Sequence, residues 1–221
     1  MPLPPRAPTR WLPADDLEKD KKVSRLADFL FEAATLKRAP RTGYQFLGRG
    51  QESVAGHSFG ATVIAFALGR ARPGVNMERL LLLALFHDLA EARTGDLNYV
   101  NKRYVTAHEK EAFSDAIEGL PFSGELSSIS DEWLDGNSPE AALAYDADQL
   151  DMIVELRRLQ EHGWKQASDW LEYAPKRLKT PEGRKLCQEI LSTGPDAWWF
   201  ERRDSLWVNP QPPDKKNADK Q

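Results

Sequence analysis

Three observations on the 221-residue sequence predict an all-α fold. Apolar residues recur at three- and four-residue intervals through most patterned stretches. No part of the core alternates with period two for long enough to make a convincing strand. Start signals such as Ser138-Pro139-Glu140 and Thr180-Pro181-Glu182, together with Gly and Pro stops, cut the chain into helix-sized pieces. The expected architecture is a helical bundle of about six or seven helices.

Each element follows from its own residues. Residues 15–39 set Leu17, Val23, Leu26, Leu30 and Ala34 on a charged background, which predicts an amphipathic surface helix. Residues 53–70 carry no formal charge before Arg70 and read as a buried helix, with Gly56 and Gly60 one turn apart to admit a close neighbour. Asn76 is the expected N-cap of a third helix, NMERLLLLALFHDLAEA, which Thr94-Gly95-Asp96 breaks. A fourth covers about 101–118 and stops at Gly119-Leu120-Pro121, and the Ser-rich stretch 121–137 reads as a loop with one short turn around Trp133. The fifth opens at Ser138-Pro139 and runs to about His162, where Gly163 stops it. The last opens at Thr180 and ends by Gly194-Pro195. Residues 1–14 form a Pro-rich N-terminal extension and 209–221 a disordered tail, leaving 15–208 as the helical domain.

Composition narrows the function. With 41% hydrophobic and 29% charged residues the chain is globular. Its 30 Lys and Arg against 34 Asp and Glu give a net charge of −4, which argues against a nucleic acid polymer as partner. A small phosphorylated substrate needs only a local positive patch and is left open. The longest strictly apolar run, Leu80 to Phe86, is far short of the roughly 20 residues of a bilayer-spanning helix, so no membrane partner is expected. The start MPLPPRAPTRWLP has no apolar signal region, which makes the cytoplasm the expected compartment. The one cysteine, Cys187, cannot form an internal disulfide and reads as a small apolar filler in a late helix.

Chemistry enters through polar residues that a core does not want. His57 lies in the middle of the second helix, and His87 and Asp88 end the apolar run of the third. Asp146, Asp148 and Asp151 open the fifth beside Leu150, Met152, Ile153 and Val154. Ionised carboxylates buried in this way cost several kcal/mol each unless positive charge is near. One shared cation accounts for all three intrusions. Two imidazoles and two carboxylates suit a divalent ion of borderline softness such as Mn, Co, Fe, Ni or Zn. Adjacent helical residues diverge by about 100°, so His87 and Asp88 can share an ion only at the edge between their faces, and His57 and Asp148 are the candidates to complete it. Glu91, three and four residues on from the pair, would stand beside the ion as an acid or base toward a bound water. Asp96, just past the helix end, could orient the same water.

The segments ESVAGHS, FHDLAEARTGD and YDADQLD, with LKRAPRTG upstream, resemble the HD-domain metal-dependent phosphohydrolases, over about residues 25–165. The similarity is greatest to the 5′-deoxynucleotidase group. It implies metal ligation by His57, His87, Asp88 and Asp148, with Asp148 rather than the alternative Asp146 at the family's Ala-Asp-x-Leu position. It implies catalytic roles for Glu91 and Asp96, and a substrate-binding role for Arg38. The expected activity is removal of the 5′-phosphate from (deoxy)nucleoside monophosphates by a metal-activated water, with one ion of the above set or Mg. A triphosphohydrolase, or a non-catalytic nucleotide-binding protein on the same scaffold, is the alternative. Ala39 follows Arg38 where deoxynucleotidases of the group place a tryptophan that helps discriminate against ribose. Dinuclear relatives need further histidines between the HD pair and the last aspartate, and only His108 lies there, so one ion is expected. A homodimer is expected from the family's habit of pairing through helices and from seven Trp to bury, and Trp198-Trp199-Phe200 is read as a packing clamp or dimer contact. His108 and His162 are read as solvent-facing, and Asp151 as capping or solvating its helix.

Overall fold

The structure is a computed structural model that describes residues 17–200, with side chains described from residue 24 to 199. The expected extension, tail and domain boundaries lie outside those residues. Within them the fold is all-α, with one isolated antiparallel bridge between Pro40 and Ser53. The chain runs through α1 (Leu17–Thr35), the single turn α2 (Tyr44–Leu47), α3 (Val54–Ala71), α4 (Met77–Phe86) and another single turn, α5 (Glu91–Thr94). It continues through α6 (Glu109–Ile117), α7 (Ser123–Asp135), the long α8 (Pro139–Glu161), α9 (Lys165–Leu171), α10 (Pro181–Ser192) and α11 (Ala197–Phe200). Short 3₁₀ turns lie at Asn101–Arg103 and Ala174–Arg177.

The start signals do what their chemistry predicts. The side chains of Ser53, Asn76, Ser138 and Thr180 accept from the backbone N–H of Gly56, Arg79, Ala141 and Gly183 and cap α3, α4, α8 and α10. Four expectations are corrected. Residues 121–137 hold the 13-residue helix α7, which buries Leu126 and Ile129 and half-buries Trp133. The fourth expected helix is a 3₁₀ turn and a shorter α6, separated by residues 104–108. α1 packs Leu26 inward as expected, but beyond it buries Phe29 and turns Ala33 inward while Leu30 is 59% exposed and Ala34 is exposed, so there the stripe lies one position before the expected one. The third helix does not run through the His-Asp pair: α4 ends at Phe86, and tight bonds such as Leu89 N–H to Phe86 O and Glu91 N–H to Asp88 O make a separate turn.

Two apolar clusters organise the described residues. The larger centres on α3 and α8, whose Ala65 and Leu68 join Ala144, Ala147 and Leu150 in a core shared with α4, α9 and α10. The smaller joins α1, α6 and α7 through Phe29, Phe113, Ile117 and Leu126, with Val54 and Leu89. Phe86 packs against both. The His-Asp pair therefore falls where the chain leaves one core for the other.

The three aspartates of α8 point three ways, as 100° per residue requires. Asp146 is fully buried and accepts from the Lys179 and Thr180 N–H groups at 2.7 and 2.8 Å and from the Thr180 hydroxyl at 2.5 Å. It pins the start of α10, and a Cβ on Gly183 would sit 2.2 Å from its Oδ2. Its oxygens are spent on structure, which removes Asp146 as the alternative ligand. Cys187 is buried on α10, as a filler should be.

Candidate metal centre

His57 comes from the middle of α3, His87 and Asp88 from the break after α4, and Asp148 from the first half of α8. Each imidazole is locked by its Nδ1. His87 Nδ1 donates to the Ala84 carbonyl at 2.8 Å, and His57 Nδ1 donates to Asp151 Oδ2 at 2.8 Å. Both Nε2 lone pairs are thereby turned toward the same point, 3.3 Å from one another. Asp88 Oδ2 lies 3.2 Å from His87 Nε2 and 3.6 Å from His57 Nε2. Asp148 Oδ1 lies 3.0 and 4.0 Å from the His57 and His87 Nε2 atoms respectively.

These separations test the fit of an ion. Ligand bonds of about 2.1 Å at angles between cis-octahedral and tetrahedral put neighbouring donors about 3.0–3.4 Å apart. Most of the distances fall in or near that range. Facing lone pairs ringed by carboxylates demand positive charge between them. Burial opposes the His57 imidazolium, yet the hydrogen bonds with Asp148 and Asp151 outweigh it and hold its pKa up at about 10. Burial would likewise raise the Asp88 carboxyl, but His87, then His57 and Arg41, keep it well below the usual carboxylate range. His57, His87, Asp88 and Asp148 could hold one divalent cation.

Asp151 is a correction. It is buried on α8 and bonds His57 instead of capping or meeting solvent. The space for it comes from Gly60, where a Cβ would lie 1.9 Å from Asp151 Oδ1. Gly56, expected to share that role, meets only Ser53 and Glu52 of its own chain turn. Glu52 also approaches His57 and Asp151 and bonds the Tyr44 hydroxyl at 3.3 Å. Burial, then Asp151, pushes the Glu52 carboxyl up to about 7. Because His57 Nδ1 is already committed to Asp151, this trio supports the imidazole and leaves Nε2 as the nitrogen for an ion.

Above the cluster opens a cleft of about 1060 Å³, lined by Arg41, Glu91, Asp96, Tyr145 and Trp170 and by Trp133, whose ring centroid lies 4.9 Å from that of His87. Glu91 Oε2 is buried without a hydrogen-bond partner. Burial, then the charges of Asp88 and Asp96, pushes its pKa up to about 9. Asp96 is engaged on both oxygens: Oδ2 accepts from Thr42 N–H at 2.5 Å and Thr42 Oγ1 at 3.1 Å, and Oδ1 lies 3.7 Å from Arg41 Nη1. Arg41 Nη1 also donates to Asp88 Oδ2 at 3.3 Å.

Arg38 is not brought to this cluster. It is exposed and lines an adjoining hollow of about 590 Å³ with Ala39, and Arg41, Tyr44 and Glu52 are shared between hollow and cleft. The guanidinium and the ring that LKRAPRTGY delivers to the cleft are those of Arg41 and Tyr44. His108 and His162 are exposed as expected. Trp198 is 82% exposed, not clamped, and Phe200 lies beyond the described side chains.

Donor atoms from three helical segments, converging at the foot of a large cleft in an all-α bundle, define a helical protein built to hold a cation beside a ligand. A model of the HD domain matches residues 33–190, and the chain belongs to the HD-domain family. The 5′-deoxynucleotidase HDDC2 of Danio rerio is 34% identical over 180 residues, covering 76% of this chain and 84% of that protein. Its namesake from Homo sapiens is 30% identical over 173 residues, 75% of this chain and 84% of the relative. A conserved hypothetical protein from Pyrococcus furiosus has a similar solved structure, with TM-score 0.62 and 28% identity over 74% of this chain and 98% of that one. Among the described residues, no helix is long and apolar enough to cross a membrane.

Proposed function

We propose that this protein is a metal-dependent phosphohydrolase that removes the 5′-phosphate from (deoxy)nucleoside monophosphates, with His57, His87, Asp88 and Asp148 holding one divalent ion. The observation that carries the reading is the convergence of two locked imidazole lone pairs and two carboxylate oxygens at the foot of the cleft. The deoxynucleotidase relatives support the substrate class. When bound, such an ion supplies a water acidic enough to be ionised near neutral pH. Glu91, unpartnered in the cleft wall, moves the proton. Arg41 offsets phosphate charge from inside the cleft, Asp96, itself fixed by Thr42, holds it there, and Arg38 attracts the anion from the adjoining hollow.

The test is phosphate release from deoxy- and ribonucleoside 5′-monophosphates by metal-stripped protein, with Mn, Co or Mg added back. Metal-dependent release of inorganic phosphate is expected. Triphosphate release from nucleoside triphosphates alone would overturn the reading in favour of a triphosphohydrolase. Binding of nucleotide without hydrolysis under any ion would overturn the enzyme assignment.

The same reading includes a cytoplasmic compartment and a homodimer. Phe59, Val63 and Phe66 support the dimer: one turn or so apart on α3, they are 71%, 53% and 45% exposed. Sedimentation should give twice the mass of the chain, falling to one chain with Phe59→Glu. A single-chain mass for the unaltered protein would rule the dimer out.

A further inference from the structure

Asp148 turns its two oxygens in different directions. Oδ1 faces His57 Nε2 at 3.0 Å, and Oδ2 accepts from Gln149 Nε2 at 2.8 Å. A hydrogen bond between adjacent side chains is not what a helix offers by default, because positions i and i+1 do not face each other. Something must hold Gln149 back against Asp148. The Gln149 carbonyl Oε1 accepts from Arg177 Nη1 at 3.3 Å. A guanidinium has donors only, so it can pair with Oε1 alone and thereby turns the amide NH₂ toward Asp148. Arg177 ends the 3₁₀ turn Ala174–Arg177, which packs against α8, and all three side chains line the cleft.

We infer that Gln149 is a positioning residue for Asp148, and that Arg177 acts on Asp148 only through Gln149. The chain Arg177–Gln149–Asp148 occupies Oδ2 and leaves Oδ1 as the oxygen offered to the ion. Gln149 serves Asp148 from the lip of the cleft as Asp151 serves His57 from the core. The inference rests on Asp148 being a ligand, as proposed above.

The test is Mn(II) binding to the full, metal-stripped chain, followed by titration calorimetry, with the melting temperature of each metal-free variant recorded alongside. Gln149→Leu keeps the side chain's bulk and removes both hydrogen bonds, and it is expected to weaken Mn(II) binding by about 10–100-fold at an unchanged metal-free melting temperature. Arg177→Met should weaken binding in the same direction by less. The double variant should bind like Gln149→Leu alone, since Arg177 has no separate route to the ion. Wild-type Mn(II) affinity in Gln149→Leu would overturn the inference, as would additive losses in the double variant. Should Gln149→Leu not fold, Arg177→Met decides: wild-type affinity there defeats the relay. Asp148→Ala separates the two claims. If it keeps its Mn(II), the ligand assignment fails; if it loses Mn(II) while Gln149→Leu does not, only the relay fails.

Discussion

Glu91→Gln is expected to lower kcat for phosphate release by about 10²–10⁴-fold, the range for losing a general acid–base group, with bound metal at the wild-type stoichiometry. The replacement keeps shape and burial and removes only the capacity to exchange a proton. Glu91 suits the role because its Oε2 is buried beside the cluster without a partner to tie it down. A parallel loss of metal would make Glu91 a structural ligand and sink the assignment. The raised pKa gives a second readout. Above its ordinary 4.5, the folded metal-free protein holds a proton that the unfolded chain releases. The stability from that group is complete below about 4.5 and is lost as pH rises through about 9. Metal-free wild type should lose this increment across that window in pH-dependent melts, and Glu91→Gln should not.

The fold class was legible because helices write their burial into a local period. What escaped was whatever local period could not carry. α7 was hidden by its serines, although Leu126, Ile129 and Trp133 keep helical spacing. The break at Phe86 was hidden for the opposite reason: the apolar run continues into the His-Asp pair, and only packing against two separate cores stops the helix there. Of the candidate site, His57, His87, Asp88 and Asp148 stood out as polar residues in apolar helices, and the structure gathers them. Asp146 read as an alternative ligand and Asp151 as a helix cap, and the structure gives each a different part. Asp151 supports an imidazole and Asp146 pins the start of α10, 34 residues on, a difference set by which helix each faces. The choice between Arg38 and Arg41 likewise depends on how residues 38–53 wrap the cleft, which no spacing encodes.

Gly60→Ala should damage the site without touching a ligand. Among the described residues α3 and α8 form the most extensive helix contact, and Asp151 enters it where Gly60 has no side chain. A Cβ there would lie 1.9 Å from Asp151 Oδ1 and 2.8 Å from its Cγ, so either the helices part or the carboxylate leaves His57. Overpacking of this kind costs about 1–3 kcal/mol. Loss of the carboxylate behind a metal-binding imidazole costs about 10–100-fold in metal affinity. Both losses are expected, read by denaturant melts and Mn(II) titration. Gly56→Ala is the control, since one turn earlier the nearest atom to a new Cβ is Ser53 Oγ at 3.3 Å, and it should change little. Adding Asp151→Ala to Gly60→Ala separates the two effects. The clash disappears, so stability should recover in part, whereas metal affinity should stay low because His57 Nδ1 has lost its acceptor. Wild-type stability and Mn(II) affinity in Gly60→Ala would mean that the carboxylate can move aside freely, and Asp151 would then have no part in orienting His57.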